Sequence, residues 1–269
     1  MGDMTNRLPA LFLGHGSPMT VISDVPERAA WQALSKALPR PKAILVVSAH
    51  WETQGASHVT AGEQPRTIHD FSGFPDELYA MQYPAPGSAE LVERVAALLG
   101  EDRIRRDATW GFDHGSWGVV QPMFPLADIP MIQLSLDRTA SPDEHLARAA
   151  ALAPLRDEGV LIIGSGNVVH NLSLWRQFSG TRPEWAVTFQ GRINQAVVSG
   201  DTAALTRFGP DDQAAHAAIN SAEHYLPLLY TVGARLRGDE VGIFNDTIDG
   251  ALSMTSYLIG DPALLKTVN

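Results

Sequence analysis

Three stretches of this chain are apolar without interruption, and each runs into small, turn-forming residues and a histidine. Leu11-Phe12-Leu13 leads to Gly14-His15-Gly16, and Ile44-Leu45-Val46-Val47 leads to Ser48-Ala49-His50. Val160-Leu161-Ile162-Ile163 leads to Gly164-Ser165-Gly166-Asn167 and on to His170. Continuous rather than alternating apolar runs predict strands covered on both faces. On this reading strands span 8–13, 43–49, 130–136, 160–165 and 241–246, with weaker ones at 56–61 and 103–108. Helices are predicted between them. Residues 26–38 place Pro26 in a first turn, and 88–99 carry Ser88 as N-cap, Leu91, Val95 and Leu98 on one face and Gly100 as a stop. Residues 141–155 open with Ser141-Pro142-Asp143-Glu144, a cap followed by proline and first-turn acids. Two more helices are predicted at 184–199 and 221–236.

Strands that alternate with helices predict an α/β fold. The expected architecture is one domain over residues 1–269, with a largely parallel or mixed central sheet and helices on both faces. In such sheets ligands bind beyond the carboxyl ends of the strands. Three strands would therefore deliver His15, His50 and His170 to one edge. Imidazole is the commonest metal-binding side chain, so this placement points to a metal centre. Segments 62–87 and 109–117 are long, irregular and rich in Pro, Gly and aromatic residues, as lids and binding loops are.

Composition narrows the chemistry. The formal net charge is −10 and no Lys/Arg cluster stands out, which argues against nucleic acid or an anionic membrane as partner. There is no cysteine, so disulfides, iron–sulfur clusters and thiolate catalysis are excluded. No secretory leader and no run near the ~20 apolar residues of a membrane span is visible, so a cytoplasmic protein is expected, as a monomer or small homo-oligomer.

Nine histidines are present. His58, His145 and His216 sit in polar or helical-surface surroundings and read as solvated. His69 lies on the long loop, where it could line a pocket. His15 is flanked by glycines that let a ligand approach closely, and His50 follows two small residues. His114 stands in Trp110-Gly111-Phe112-Asp113-His114-Gly115-Ser116-Trp117, which resembles an aromatic pocket wall with one polar tip. His224 precedes an apolar helix. Ser116 fails the nucleophile-elbow pattern because position 114 is histidine, and Gly164-Ser165-Gly166 fails the dinucleotide pattern because position 169 is valine. Neutral imidazoles suit zinc, iron, copper and nickel alike, and Glu52, Asp113 and Glu223 are the carboxylates available to complete a set. A zinc-dependent hydrolase and a non-catalytic metal-binding module remain alternatives at this point.

Seven ordered motifs carry a resemblance. They are Leu11 to Met19, Val46 to Trp51, His69 to Pro75, Tyr83 to Gly87, Gly111 to Gly118, Ser165 to Leu172 and Glu223 to Tyr230. Together they make the chain similar to the class III extradiol ring-cleavage dioxygenases, in the 4,5-DOPA extradiol branch of bacteria and plants, from residue 8 to about 258. The resemblance implies an Fe(II)-dependent enzyme, with Zn(II) as a further possible occupant. Such an enzyme opens a DOPA-like catechol beside its two hydroxyls with dioxygen, giving a muconic semialdehyde. It implies His15, His50 and His224 as metal ligands. His170 matches an acid/base histidine that serves as an additional ligand in this branch, and His114 matches a substrate-pocket histidine. Where His224 stands, protocatechuate-cleaving relatives carry a carboxylate. The loop from His69 to Tyr83 would close over the substrate.

Overall fold

The computed structural model describes residues 7–268. Ten strands are present among them: β1 (Ala10–Gly14), β2 (Ala43–Thr53), β3 (Ser57–Thr60), β4 (Ile104–Asp107), β5 (Met131–Asp137), β6 (Val160–Gly166), β7 (Glu240–Phe244), β8 (Ile248–Asp249), β9 (Leu252–Ser253) and β10 (Ser256–Gly260). The α-helices are α1 (Pro26–Ala37), α2 (Asp76–Ala80), α3 (Ala89–Leu99), α4 (His114–Met123), α5 (Pro142–Leu152), α6 (Leu172–Phe178), α7 (Glu184–Ser199), α8 (Thr202–Thr206), α9 (Gln213–Ala218) and α10 (Leu226–Gly233).

Eight strands form one mixed sheet in the order β4-β3-β5-β2-β6-β1-β10-β7, and β8 and β9 make a small separate hairpin. The centre is parallel: β5, β2, β6 and β1 run in one direction, with Leu11 opposite Ile163 and Val46 opposite Ile163 on the other side. Antiparallel pairing appears outside this centre, between β3 and β5, β1 and β10, and β10 and β7.

The uninterrupted apolar runs have the expected cause. Alternate side chains enter two cores, one on each face of the sheet. Phe12, Leu45, Val47, Leu134 and Ile162 pack with α3, α5, α7 and α10. Leu11, Leu13, Val46, Leu161 and Ile163 pack with α1, α4 and the 3₁₀ turn at Pro262–Thr267. A strand buried on both sides has no polar face to alternate with.

The capping signals are realised. Ser88 accepts from Leu91 N–H, and Ser141 and Glu144 form a reciprocal capping box. Four readings change. Strand β10 falls outside the predicted set, because Ser256–Gly260 is a five-residue run that only its register against β1 makes legible. The expected irregular loop 109–117 ends early, because the Asp113 side chain accepts from Ser116 N–H and starts α4 at His114. The last predicted helix shortens to α10, since Pro227 belongs in a first turn. Helices α2, α6, α8 and α9 occupy stretches that the periodicity left unassigned. No helix among the described residues is long and apolar enough to cross a membrane.

Candidate metal centre

Five histidines meet along the edge where β1, β2 and β6 run out, three strands that lie side by side in the sheet, with His50 still inside β2. His15 follows β1 directly, and its N–H donates to Gly166 O at 3.1 Å. His50 lies where β2 loses register with β5 between Val47 and Glu52, a local break that frees its side chain from the regular ladder. His170 lies four residues past β6, with its N–H on Ala218 O at 2.9 Å. His224 sits just before α10, and its carbonyl accepts from Asn167 N–H at 2.8 Å. His114 is the first residue of α4.

Glycines make this convergence possible. A Cβ at Gly166 would overlap the His224 carbonyl oxygen, and one at Gly164 would overlap Pro227 O. The Gly164-Ser165-Gly166 pair therefore serves the close approach of the chain around α10 to β6. Asn167 ties the same region together, its Nδ2 donating to His15 O at 2.5 Å and to Ser253 O at 2.8 Å.

The rings of His15, His50 and His224 form a nearly equilateral triangle, with centroids 5.1, 5.3 and 5.1 Å apart. His15 Nε2 and His50 Nε2 face each other at 3.1 Å. Each of the three rings has its Nδ1 engaged from behind. His15 Nδ1 lies 2.9 Å from Ser165 Oγ, His50 Nδ1 lies 3.3 Å from Asp70 Oδ2, and His224 Nδ1 lies 3.0 Å from Glu223 Oε1. An ionised carboxylate only accepts, so Glu223 holds His224 as the Nδ1–H tautomer with a bare Nε2 lone pair, and Asp70, 3.3 Å from His50 Nδ1, favours the same tautomer there. Burial first, and the neighbouring histidines second, lower the pKa of His15 and His50 well below the usual imidazole value. Two neutral rings whose Nε2 atoms face each other at 3.1 Å are a donor pair that a cation satisfies, so the site fits a divalent metal. Among the described residues two sets have ligand atoms within 4.8 Å of one another, His15, His50 and His114, and His170, Glu223 and His224; the trio of His15, His50 and His224 is not one of them.

His170 stacks flat on His224, ring centroids 3.4 Å apart and 5° from parallel. Burial and the adjacent His224 bring its pKa down to about 3. His114 lies 4.0 Å from His50 between ring centroids, and its Nδ1 is 2.9 Å from Asp70 Oδ2. Its backbone N–H also donates to Asp70 Oδ1 at 2.8 Å. Burial pushes the Asp70 carboxyl up, but the hydrogen bonds and charge of His114 outweigh it and the net shift is downward. Glu223 is likewise raised by burial and lowered further by bonds from His224 and Ser221, to about 2.

Of the carboxylates named from the sequence, Glu52 is exposed. Asp113 is buried, caps α4 and holds Ser48 and Gln133. Glu223 acts behind a histidine. His69 does not line the cavity; its Nε2 meets Met81 O at 3.0 Å and props the long loop. His145 is a correction: it is fully buried against Tyr230 rather than solvated, because α5 turns it inward between the sheet and α10. His58 lies beside Asp107 and His216 beside Pro210 O, both away from the site. Sequence reasoning passed over Asp70 and Ser165 as partners of the histidine Nδ1 atoms. It also passed over Phe71, Phe74, Leu172, Trp175 and Leu252, which line a cavity of about 450 Å³ above the histidines. The His69-to-Pro75 and Ser165-to-Leu172 motifs contained Phe71, Phe74 and Leu172, though not as cavity lining.

The family described as the catalytic LigB subunit of aromatic ring-opening dioxygenase matches residues 9–244. The chain belongs to this family of aromatic ring-opening dioxygenases. It is 47% identical to the 4,5-DOPA dioxygenase extradiol of Escherichia coli K12, over 95% of this chain and 96% of that one. It is 36% identical to the 4,5-DOPA dioxygenase extradiol of Beta vulgaris, over 96% and 98% respectively. A crystal structure of an uncharacterized Escherichia coli K12 protein superposes with a TM-score of 0.78 at 40% identity, covering 94% of this chain and 100% of that chain. The enzyme is thus a ring-cleaving extradiol dioxygenase, and the hydrolase alternative finds no support.

Proposed function

We propose that His15, His50 and His224 hold one divalent ion through their Nε2 atoms, Fe(II) in the working enzyme, and that the cavity above them binds a catechol for cleavage by dioxygen. The observation that supports this is the near-equilateral triangle of ring centroids, with a carboxylate oxygen within 3.3 Å of Nδ1 in two of the rings. His114 is the less even third member by centroid, at 4.0 Å from His50 but 5.8 Å from His15, although its ligand atom and those of His15 and His50 lie within 4.8 Å of one another. When bound, the ion supplies Lewis acidity toward the catechol oxygens and, as iron, an electron path to dioxygen. Zn(II) suits imidazoles equally well but has no redox chemistry.

The chain's own groups then have distinct tasks. His170, held neutral by burial, accepts a hydroxyl proton of the catechol and later returns it. His114, held by Asp70, presents its Nε2 side to the cavity edge and hydrogen-bonds substrate or dioxygen. The long loop brings Phe71 and Phe74 over the ring and limits water. DOPA, the compound in the names of the relatives, is the first catechol to assay. The protein is loaded anaerobically with Fe(II), mixed with catechols and exposed to air. Oxygen uptake with a yellow ring-fission product is expected, and its absence with every catechol rejects the proposal. Parallel metal analysis of His15→Ala and His224→Ala is expected to show loss of bound iron, while a His114→Ala protein keeps it.

A further inference from the structure

A second, smaller cavity reaches the histidines from another side. It lies between the 3₁₀ turn Pro18–Val21, α1 and α4, and measures about 10 Å³, the size at which a cavity holds one water-sized molecule. Its walls are His15 and His114 at one end, then Gly118 and Val119 of α4, with Val21 and Trp31 opposite. The Gly16-Ser17-Pro18 turn borders this cavity and the larger one alike, as do His15 and His114, so both spaces reach the same two imidazoles. His114 and Gly118 stand one turn apart on α4 and therefore share a face. The glycine is what leaves the space. Outside its own helix, a Cβ at Gly118 would meet only Val21 Cγ2, at 3.5 Å.

The lining suits an apolar guest. Val21, Val119, Pro18 and the glycines offer no side-chain hydrogen bond, and a buried water needs roughly two to four polar partners. Besides the imidazoles, the polar side-chain groups are the buried, unpartnered Trp31 indole N–H, the half-buried Thr20 hydroxyl and Ser17 Oγ, which already accepts from Met19 N–H. Dioxygen is apolar and matches the size, so it gains by leaving water for such a space and demands no hydrogen bond there. A catechol seated over His15, His50 and His224 covers them from the larger cavity, and its co-substrate then needs a different approach. Resting on the ring-cleaving reading above, we propose that the small cavity binds dioxygen beside His15 and His114. It delivers the gas to the metal position from the α4 side while the catechol fills the larger space.

The test uses Gly118→Ala, which puts a methyl into the cavity at ordinary contact distance, and Val21→Ala, which widens it from a different element. Metal-free crystals pressurised with krypton, and separately with dioxygen, are expected to show the gas between Val21 and Gly118 in the parent protein. Val21→Ala should hold more of it and Gly118→Ala none. With iron-loaded enzyme at saturating catechol, Gly118→Ala is expected to raise KM for dioxygen about tenfold, within the range over which access alone changes an on-rate. Val21→Ala should not raise it, and the anaerobic Kd for catechol should stay unchanged in both. Urea unfolding should find Gly118→Ala no less stable than the parent, because alanine suits a helix interior, so a kinetic loss is not a folding loss. An ordered water that pressurised gas does not displace overturns the assignment. So does a KM for dioxygen in Gly118→Ala within about twofold of the parent's. Gas seated in the cavity of a protein that cleaves no catechol would instead strike the ring-cleaving reading and leave the binding site standing.

Discussion

At the scale of the residue, the site depends on atoms behind the histidines as much as on the histidines. Asp70 reaches two rings at once, through His50 Nδ1 and His114 Nδ1. Replacing it by Asn removes the charge and lets an amide donor face an imidazole. Asp70→Asn is therefore expected to weaken iron affinity and lower kcat by roughly 10–100-fold, the usual reach of a partner behind a metal ligand. Titration of iron into the apo variant, alongside oxygen-electrode kinetics, reads both effects. His170 makes the complementary prediction. It stacks on His224 rather than completing the triangle, so His170→Gln should retain iron while kcat falls on the order of 100-fold or more. Loss of iron from that variant would make His170 a ligand instead.

At the scale of the element, the decisive contact is the approach of the segment leading into α10 to the end of β6. Gly166→Ala would drive a Cβ into the His224 carbonyl, so His224 must move or the strand must bend. A stability loss of about 1–3 kcal/mol is expected, together with reduced metal content. The control lies in α7, where Gly191 has nothing within 4 Å of a Cβ. Gly191→Ala should stabilise the fold by about 0.5–1 kcal/mol through helix propensity and leave metal binding unchanged. Urea unfolding of both variants, with metal analysis, separates local crowding from a general intolerance of alanine.

At the scale of the whole molecule, buried neutral histidines couple stability to pH. His145 is fully buried, its Nδ1 lies 3.1 Å from the Tyr230 hydroxyl, and burial lowers its pKa from 6.5 to about 4, with Arg148 adding to the effect. Between those values the unfolded chain binds the proton and the folded one does not. Unfolding then takes up a proton, so stability falls as pH falls from 6.5 toward 4. The expected loss from this residue is about 3 kcal/mol at the acid end, and His145→Phe should remove that share of the slope. Denaturant midpoints measured at several pH values from 7.5 down to 4.5, for both proteins, test it. In the metal-free protein His15 and His50 contribute in the same direction, because their pKa values are also depressed.

How much of this was legible along the chain follows from range. Uninterrupted apolar runs at β1, β2 and β6 announce strands buried on both faces, because periodicity is a local property. For the same reason Ser88, Ser141 and Pro26 announce helix starts. Sequence also placed His15, His50 and His170 at one edge, since strand direction alone sends the three strand exits to a common side. It left open which imidazoles close on one another, that His170 stacks on His224, and that Asp70 from the long loop stands behind two of them. Those facts rest on the three-dimensional packing of loop 62–87 and the start of α10 against the sheet, with contacts such as Asp70 to His114 spanning 44 positions. The inward turn of His145 and the pairing of β10 with β1 are of the same kind. A neighbour distant in sequence decides them, and no pattern within a single element records which neighbour that will be.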